Sequence, residues 1–221
     1  MTYQAIPEIV TVIGTSYCQP IADLIGRLLS HTRMPADAAS AGYPENGYSV
    51  SIAILLVALL ESYVARLRYL RAQELPTTGK SAPDLLLTLF PTLPNHAALR
   101  EVFLLRNVVL HNHIWELDVR LRDEGEVAAM RSPQDLHFQV NQHYDAVVDK
   151  TTRRTKLLAL SMNPIGVDRA DTYKVFDVVL ATLSFLRLHE PNLGFRAETS
   201  VAYAGRRMKF SDLLATLKDA L

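Results

Sequence analysis

Apolar residues recur every three to four positions along most of this chain, and that spacing predicts a mainly helical protein. The clearest example is a long helix predicted over residues 49–73, with Ser49 or Ser51 as its cap. Its first half, 52–60, is apolar on every face, as in a helix that is buried on all sides. The same spacing predicts further helices over 20–31, 83–90 and 97–122, and one that starts at Asp168 or Asp171 and reaches 188. A last helix, with Ser211 as its cap, is predicted at the end of the chain.

Proline and glycine divide these helices, and two short segments carry the signals of β-hairpins. The segments are centred on 150–153 and 203–206, whereas 35–47 reads as a loop. The pattern therefore predicts a helical bundle with one or two small β-hairpins. We expect a single domain over 1–221, in which an N-terminal extension, 1–48, packs on a core bundle, 49–190, and 191–221 adds a hairpin and a helix.

Composition adds limits on function. Among the 221 residues, 23 Lys and Arg balance 23 Asp and Glu, so any affinity for nucleic acid must come from local patches. The lone Cys18 excludes a disulfide framework and a zinc site built on several cysteines, and it fits a reducing cytosol. The longest apolar run, 52–60, is short of the ~20 residues that span a bilayer. These features predict a cytoplasmic protein that makes no membrane contact.

The predicted helix over 97–122 carries an unusual set of polar residues. On a helical wheel, one line within about 20° holds Arg100, Asn107, His111 and Asp118. A second line, roughly 120–160° away, holds Arg106, His113 and Arg120. Apolar arcs lie between the two lines, so this helix should pack on both sides, against its own bundle and against a second protomer. Polar groups between such arcs either find partners or perform chemistry.

The sequence Arg106-Asn107-x-x-x-His111 resembles the signature of the HEPN superfamily, in which an arginine and a polar residue precede a histidine four to six positions on. The context is similar as well, because the motif follows an earlier buried helix that reaches Glu61. The resemblance covers roughly 49–188. It implies a HEPN-like helical bundle and a metal-independent endoribonuclease.

The resemblance also implies a mechanism and partners. Two protomers would pool their Arg–His pairs at a homodimer interface, where the 2′-hydroxyl of single-stranded RNA attacks the adjacent phosphorus. His111 would act as general base or acid, Arg106 would hold the phosphate, and Asn107 would orient the imidazole or the phosphate. A toxin or an antiviral-defence effector is the implied role, with an antitoxin or regulatory protein as a further partner.

The catalytic histidine has two candidates. Arg106 and His111 lie about 140° apart on a straight helix, so only the length of the arginine side chain or the opposite protomer brings them together. His113 also satisfies the four-to-six spacing and shares the line of Arg106. We favour His111 because Asn107 precedes it by one turn. In some HEPN toxins a tyrosine that partner enzymes modify stands where this chain has His113.

Three further features bear on the site. Glu61 could pair with Arg68 or with Arg106, either as catalytic support or as a structural ion pair. Arg153, Arg154 and Lys156 form a basic cluster that could grip RNA phosphates or could simply be a solvated turn. The histidines lack metal-ligand spacing, so neither a metal nor another cofactor is expected.

Two alternatives to a ribonuclease stay open from the sequence. One is a non-catalytic HEPN module that binds RNA, a nucleotide or a protein partner through the same cleft, because a fold does not fix a function. The other is a structural helical dimer in which Asn107 and His111 are buried and hydrogen-bonded to each other, with Arg106 in a salt bridge.

Overall fold

A computed structural model describes residues 13–33, 44–74, 80–111, 116–119, 127–131 and 142–221. The described residues form seven α-helices and three two-stranded antiparallel sheets. The helices are α1 (Cys18–Ser30), α2 (Pro44–Leu70), α3 (Ala82–Leu89), α4 (His96–His111), α5 (Gln142–Val147), α6 (Arg169–His189) and α7 (Asp212–Asp219). The strands are β1 (Glu116–Val119), β2 (Val127–Arg131), β3 (Val148–Asp149), β4 (Arg154–Thr155), β5 (Ser200–Tyr203) and β6 (Arg206–Lys209).

Helix α2 is the centre of the bundle. It packs against α1 and α6 and also contacts α3 and α4, and so its apolar residues are buried around the helix. Within the described part of the chain, α2 is also the one helix that is long and apolar enough to cross a membrane. Half of its most apolar window is buried inside the structure, as in the core helix of a soluble protein. Packing thus accounts for the buried half of this apolar window.

Helix α1 belongs to the same core as α2. Its residues Ile21, Ile25 and Leu28 are buried at helical spacing against the bundle. Cys18 is only 2% exposed, and burial raises the pKa of its thiol to about 11 because the thiolate would lose its hydration. The described part of the predicted N-terminal extension therefore packs directly on the bundle, and Cys18 serves as a small apolar residue there.

A buried ion pair joins the first turns of α2 and α6. The Arg169 Nε donates to Glu45 Oε1 at 2.9 Å, and the Arg169 backbone N–H donates to the same oxygen at 3.1 Å. The pair explains why the prediction of a loop up to residue 47 is wrong. Pro44 suits the first turn of a helix, and Glu45, which no local pattern distinguishes, finds its partner 124 positions along the chain. Neither Ser49 nor Ser51 caps α2, because both lie inside it.

Helix α6 starts with a capping box. The Asp168 carboxylate accepts from the Asp171 N–H at 2.9 Å, and the Asp171 carboxylate accepts from the Asp168 N–H at 3.3 Å. Asp171 is fully buried, and that burial, with repulsion from Asp168, raises the pKa of its carboxyl group to about 6. Arg154 and Lys174 act in the opposite direction.

The mainly α class is confirmed, and so are both predicted hairpins. Strands β3 and β4 pair across the turn at 150–153, and β5 pairs with β6 across Ala204 and Gly205. Those two residues have φ angles of 48° and 76°, as expected for a two-residue hairpin turn.

The prediction of one helix over 97–122 is wrong beyond His111. Helix α4 ends there, and β1, which falls inside the predicted helix, pairs with β2. The sequence signal for the strand was present, because 115–122 reads Trp-Glu-Leu-Asp-Val-Arg-Leu-Arg and alternates strictly between apolar and polar residues. The predicted helical-wheel positions therefore apply only as far as His111, and Asp118 lies on β1 instead. The remainder of the predicted helix, 112–115 and 120–122, lies outside the described residues.

Candidate functional site

Arg106 of α4 meets Glu61 of α2 where the two helices pack together. Arg106 Nη2 donates a hydrogen bond to Glu61 Oε1, which settles which arginine Glu61 contacts. The guanidinium also stands over the ring of Phe103, 5.4 Å from its centroid. The side chain of Arg106 is 20% exposed and that of Glu61 is 43% exposed, so solvent reaches the ion pair. Arg106 Nε is buried and makes no hydrogen bond with the described residues.

This ion pair lies in the wall of a cavity of about 510 Å³. Helix α2, the segment that starts α3, and helix α4 form the walls, and Val147 at the end of α5 completes the lining. The polar lining residues are Glu61, Arg68, Lys80, Ser81, Asp84, Arg100, Arg106 and Asn107. Cavities of this size accommodate small molecules or a short piece of a polymer.

The lining carries more positive than negative charge. Among the described lining residues, Arg68, Lys80, Arg100 and Arg106 are cationic, whereas Glu61 and Asp84 are anionic. The net formal charge is therefore positive, and a cleft that is partly shielded from water strengthens its attraction for anions. The whole chain is neutral, so the cavity concentrates positive charge that the composition alone does not show.

The first turn of α3 holds Asp84, one of the two acidic residues in the described lining, in place. Ser81 caps the helix by accepting from the Asp84 N–H at 3.4 Å, and its hydroxyl donates to Asp84 Oδ2 at 2.6 Å. On the other side, Arg68 Nη2 donates to the Lys80 carbonyl at 2.7 Å. The Arg68 bond connects the C-terminal half of α2 to the segment that starts α3.

His96, the first residue of α4, lies close to the same charges. Its Nε2 is buried, stands 4.0 Å from Asp84 Oδ1 and makes no hydrogen bond with the described residues. Burial lowers the pKa of His96 and the positive charge of Arg100 lowers it further, while Asp84 opposes the shift. The imidazole therefore favours its neutral form, which is consistent with a positive field around Arg100.

The structure places two of the three predicted catalytic residues at this cavity. Arg106 and Asn107 both line it, with Asn107 exposed. His111 is the last residue of α4, and its side chain lies outside the described part of the structure, as does the whole of His113. Glu61 pairs with Arg106, which is one of the two partners, Arg68 or Arg106, that the sequence left open.

The predicted basic cluster is tied into its own hairpin. Arg154 Nη1 donates to the Ala159 carbonyl at 2.9 Å, and Lys156 Nζ donates to the Ala146 carbonyl at 2.8 Å. Arg153 adopts a left-handed conformation, with φ of 53°, in the turn. These contacts give the cluster a structural role whether or not it also touches RNA.

A buried glutamate fastens this hairpin region to the motif helix. Glu101 of α4 is 4% exposed and accepts from the N–H groups of Leu157 and Leu158 at 2.8 and 2.7 Å. Both carboxylate oxygens are thus used by backbone donors that would otherwise lack partners. Glu101 therefore links the segment after β4 to α4, which forms one wall of the cavity.

Sequence reasoning missed three cationic residues of the cavity as site residues: Arg68, Lys80 and Arg100. Arg100 had a signal, because it shares a line of the helical wheel with Asn107, and both do line the cavity. Lys80 had none, since its position depends on how the segment before α3 crosses α2. Among the described residues, no three His, Cys, Asp or Glu side chains are grouped so that they could hold a metal ion.

No protein-family model matches the chain, and no curated protein or solved structure is significantly similar to it. The arguments for its function therefore come from the side chains described above.

Proposed function

We propose that this protein is a cytoplasmic, metal-independent endoribonuclease of the HEPN type. It cleaves single-stranded RNA at a composite site between two copies of the chain. The observation that carries the proposal is the position of Arg106, which lies with Asn107 in the wall of a cavity that holds more cationic than anionic side chains. Its fold is a HEPN-like bundle around α2 and α4.

The chemistry uses only side chains of the two protomers. The 2′-hydroxyl gives its proton to His111 of one protomer, and its oxygen forms a bond to the neighbouring phosphorus. The bond from phosphorus to the 5′-oxygen breaks, and the histidine of the other protomer protonates that oxygen, which leaves a 2′,3′-cyclic phosphate. Arg106 offsets the charge that builds on the phosphoryl oxygens, and Glu61 positions its guanidinium. Arg153, Arg154 and Lys156 supply further phosphate contacts.

The primary experiment measures cleavage of mixed single-stranded RNA in EDTA. Wild type should generate ends with a 2′,3′-cyclic phosphate, and Arg106→Ala and His111→Ala should each lower the rate by at least 10²-fold. His113→Ala, run in parallel, decides between the two histidines. Matched controls are Arg187→Gln and His189→Ala, which lie on α6 away from the cavity. Equal cleavage by wild type and the Arg106 and His111 variants would sink the proposal.

A mixing experiment tests the composite site. If each site needs His111 from both protomers, a mixed dimer of wild-type and His111→Ala chains has no intact site. Random mixing of equal amounts should then lower the rate to about a quarter of that of the same total amount of wild type, whereas sites confined to one protomer would keep about half. A rate of about half, in dimers shown to exchange subunits, would exclude sites shared in this way.

The role we propose is that of a toxin or antiviral-defence effector, neutralised by an antitoxin or regulatory protein. Expression of wild type should slow growth, and His111→Ala should relieve that effect at equal soluble protein level. Growth inhibition that persists in the variant would contradict the role.

The ion pair itself favours a second candidate function. Glu61 already satisfies part of the Arg106 guanidinium, as in a non-catalytic module that binds RNA, a nucleotide or a protein partner. Binding of RNA without cleavage by wild type would select this candidate. If the substitutions lower the melting temperature and have no effect on RNA, the polar residues of α4 are structural.

A further inference from the structure

We propose that Arg68 and Arg100 form a second phosphate subsite, beside Arg106, so that the cavity grips a nucleic-acid strand at two phosphates. This inference rests on the proposed function for the identity of its ligand, but the subsite itself is argued from the cavity. Neither arginine belongs to the motif Arg106-Asn107-x-x-x-His111, and each comes from a different helix.

Arg68 and Arg100 each lie several residues away from the contact between Glu61 and Arg106. Arg68 follows Glu61 by seven residues on α2, or about 10 Å along the helix axis, and lies within about 20° of the same line. Arg100 precedes Arg106 by six residues on α4, or about 9 Å along that axis. Glu61 contacts Arg106, and all four residues line one cavity. A single phosphate cannot span such distances, whereas successive phosphates of a strand can.

The net charge of the described cavity lining also favours a second bound phosphate. Glu61 offsets Arg106, and Asp84 is held at the start of α3 by Ser81, so each carboxylate of the described lining has a partner. The described lining residues nevertheless carry two formal positive charges in excess. Two phosphodiester groups, or one phosphate monoester, would neutralise that excess. Each has oxygens that arginine binds through charge-assisted hydrogen bonds.

Hydrogen bonds within the structure already orient Arg68 and Lys80. The hydrogen bond from Arg68 Nη2 to the Lys80 carbonyl fixes the direction of that guanidinium, and Lys80 Nζ is held at 3.0 Å from Thr88 Oγ1. Positively charged side chains that are already oriented lose less conformational freedom when an anion binds. Burial lowers the pKa of the neighbouring His96, and the positive charge of Arg100 lowers it further.

The test separates binding from cleavage by using a short single-stranded RNA with 2′-O-methyl groups, which lacks the attacking hydroxyl. Its affinity is measured by fluorescence anisotropy in EDTA over a range of salt concentrations. Arg68→Gln and Arg100→Gln should each weaken binding by about tenfold and reduce the salt slope by about 0.7. The matched control is Arg187→Gln, which removes one charge from α6 and should bind within twofold of wild type. Melting temperatures verify that all variants fold.

The ligand could present its phosphate inside a strand or as a free end. A second arm therefore measures a nucleoside 5′-monophosphate with the same variants. If only the oligonucleotide depends on Arg68 and Arg100, the subsite takes internal phosphodiesters. If the monophosphate shows the same dependence, the subsite stands and takes a terminal phosphate. Unchanged affinity in both arginine variants, or an equal loss in Arg187→Gln, overturns the subsite.

Failure of the subsite and failure of the ribonuclease give different results. A wild type that binds the methylated probe through Arg68 and Arg100, yet leaves unmodified RNA intact, keeps the subsite and loses the enzyme. A wild type that cleaves RNA with a KM that neither substitution changes keeps the enzyme and loses the subsite.

Discussion

Helix α2 carries two Glu–Arg ion pairs, one near each end, in contrasting environments. Glu45 is fully buried and binds Arg169, whose side chain is 8% exposed, with hydrogen bonds to both carboxylate oxygens. Glu61 is 43% exposed and binds Arg106 through one oxygen, while Arg106 Nε makes no bond with the described residues. The residue types are the same, but the solvent access and the number of bonds differ.

The contrast distinguishes an arginine with a structural role from one that is able to bind a ligand. Arg169 has Glu45 on two sides of its guanidinium and the His31 carbonyl on another, so little remains for a ligand. Arg106 lies at a cavity, where a phosphate could take the place of its single carboxylate contact. An arginine with an incompletely satisfied guanidinium at a cavity is therefore the better candidate for a binding role than one that is fully enclosed.

The largest effect should come from breaking the buried pair. Glu45→Ala leaves the Arg169 charge buried without its carboxylate, and we expect it to lower the free energy of unfolding by about 3–5 kcal/mol. Urea unfolding measures the loss, with Glu61→Ala as the matched removal of an exposed partner. If the two substitutions cost the same, the distinction between the pairs is wrong.

A smaller loss should follow removal of the Glu101 carboxylate. Glu101→Ala leaves the N–H groups of Leu157 and Leu158 without acceptors, at a cost of about 2–3 kcal/mol. Glu101→Gln keeps one acceptor oxygen and should lose roughly half as much. Amide hydrogen exchange at residues 157 and 158 should rise in the alanine variant. Unchanged protection there would show that Glu101 does not fasten the hairpin.

Asp171 extends the comparison to a buried carboxylate whose nearest arginine is less tightly bound, 3.7 Å away at Arg154. The pKa of Asp171 is about 6 in the folded protein, above its unfolded value, so the folded state binds the proton more tightly. The resulting stability is fully present below about pH 4 and is lost as the pH rises through about 6.

The measurement compares wild type with Asp171→Asn at pH 7 and pH 5. On acidification, wild type should gain on the order of 1 kcal/mol relative to the variant. Asparagine keeps an acceptor for the Asp168 N–H, so the variant serves as an uncharged control. A gain of the same size in both proteins would assign the pH dependence to other groups.

The smallest effect on stability is expected at the exposed pair of Glu61 and Arg106. There, removing the carboxylate charge should lower stability slightly and tighten RNA binding. Glu61→Gln should change the free energy of unfolding by less than about 1 kcal/mol, because solvent screens this interaction. Removing the negative charge beside Arg106 should also tighten binding of the methylated RNA several-fold. Weaker binding in this variant would contradict a competition between Glu61 and the phosphate for Arg106.

Much of the helical core was predictable from sequence because its spacing is local. Buried residues at positions such as Ile21 and Ile25 recur with the helical period, and the hairpins carry turn residues at their centres. The limits of α2 and α4 were not obtained in the same way. Pro44 starts α2 with support from the partner of Glu45 on α6, and α4 ends where the period changes from helical to alternating.

The site was predicted in part for a similar reason. Arg106 and Asn107 are adjacent in sequence, so a motif identifies them, and Arg100 shares a helical line with Asn107. Lys80 reaches the cavity only because three separate segments meet, which no periodicity records. Long-range contacts of this kind depend on the packing of whole helices, as does the contact between Glu61 and Arg106, for which the sequence left two partners open.

The all-round apolar surface of α2 has a consequence for any experiment in cells. A molecule in which α6 or α1 comes loose exposes a helix long and apolar enough to enter a bilayer or to associate with other chains. Variants such as Glu45→Ala should therefore be removed by aggregation and proteolysis, and they would relieve toxicity simply by disappearing. Loss of a cellular phenotype identifies a catalytic residue only in variants that keep α2 covered and the protein abundant.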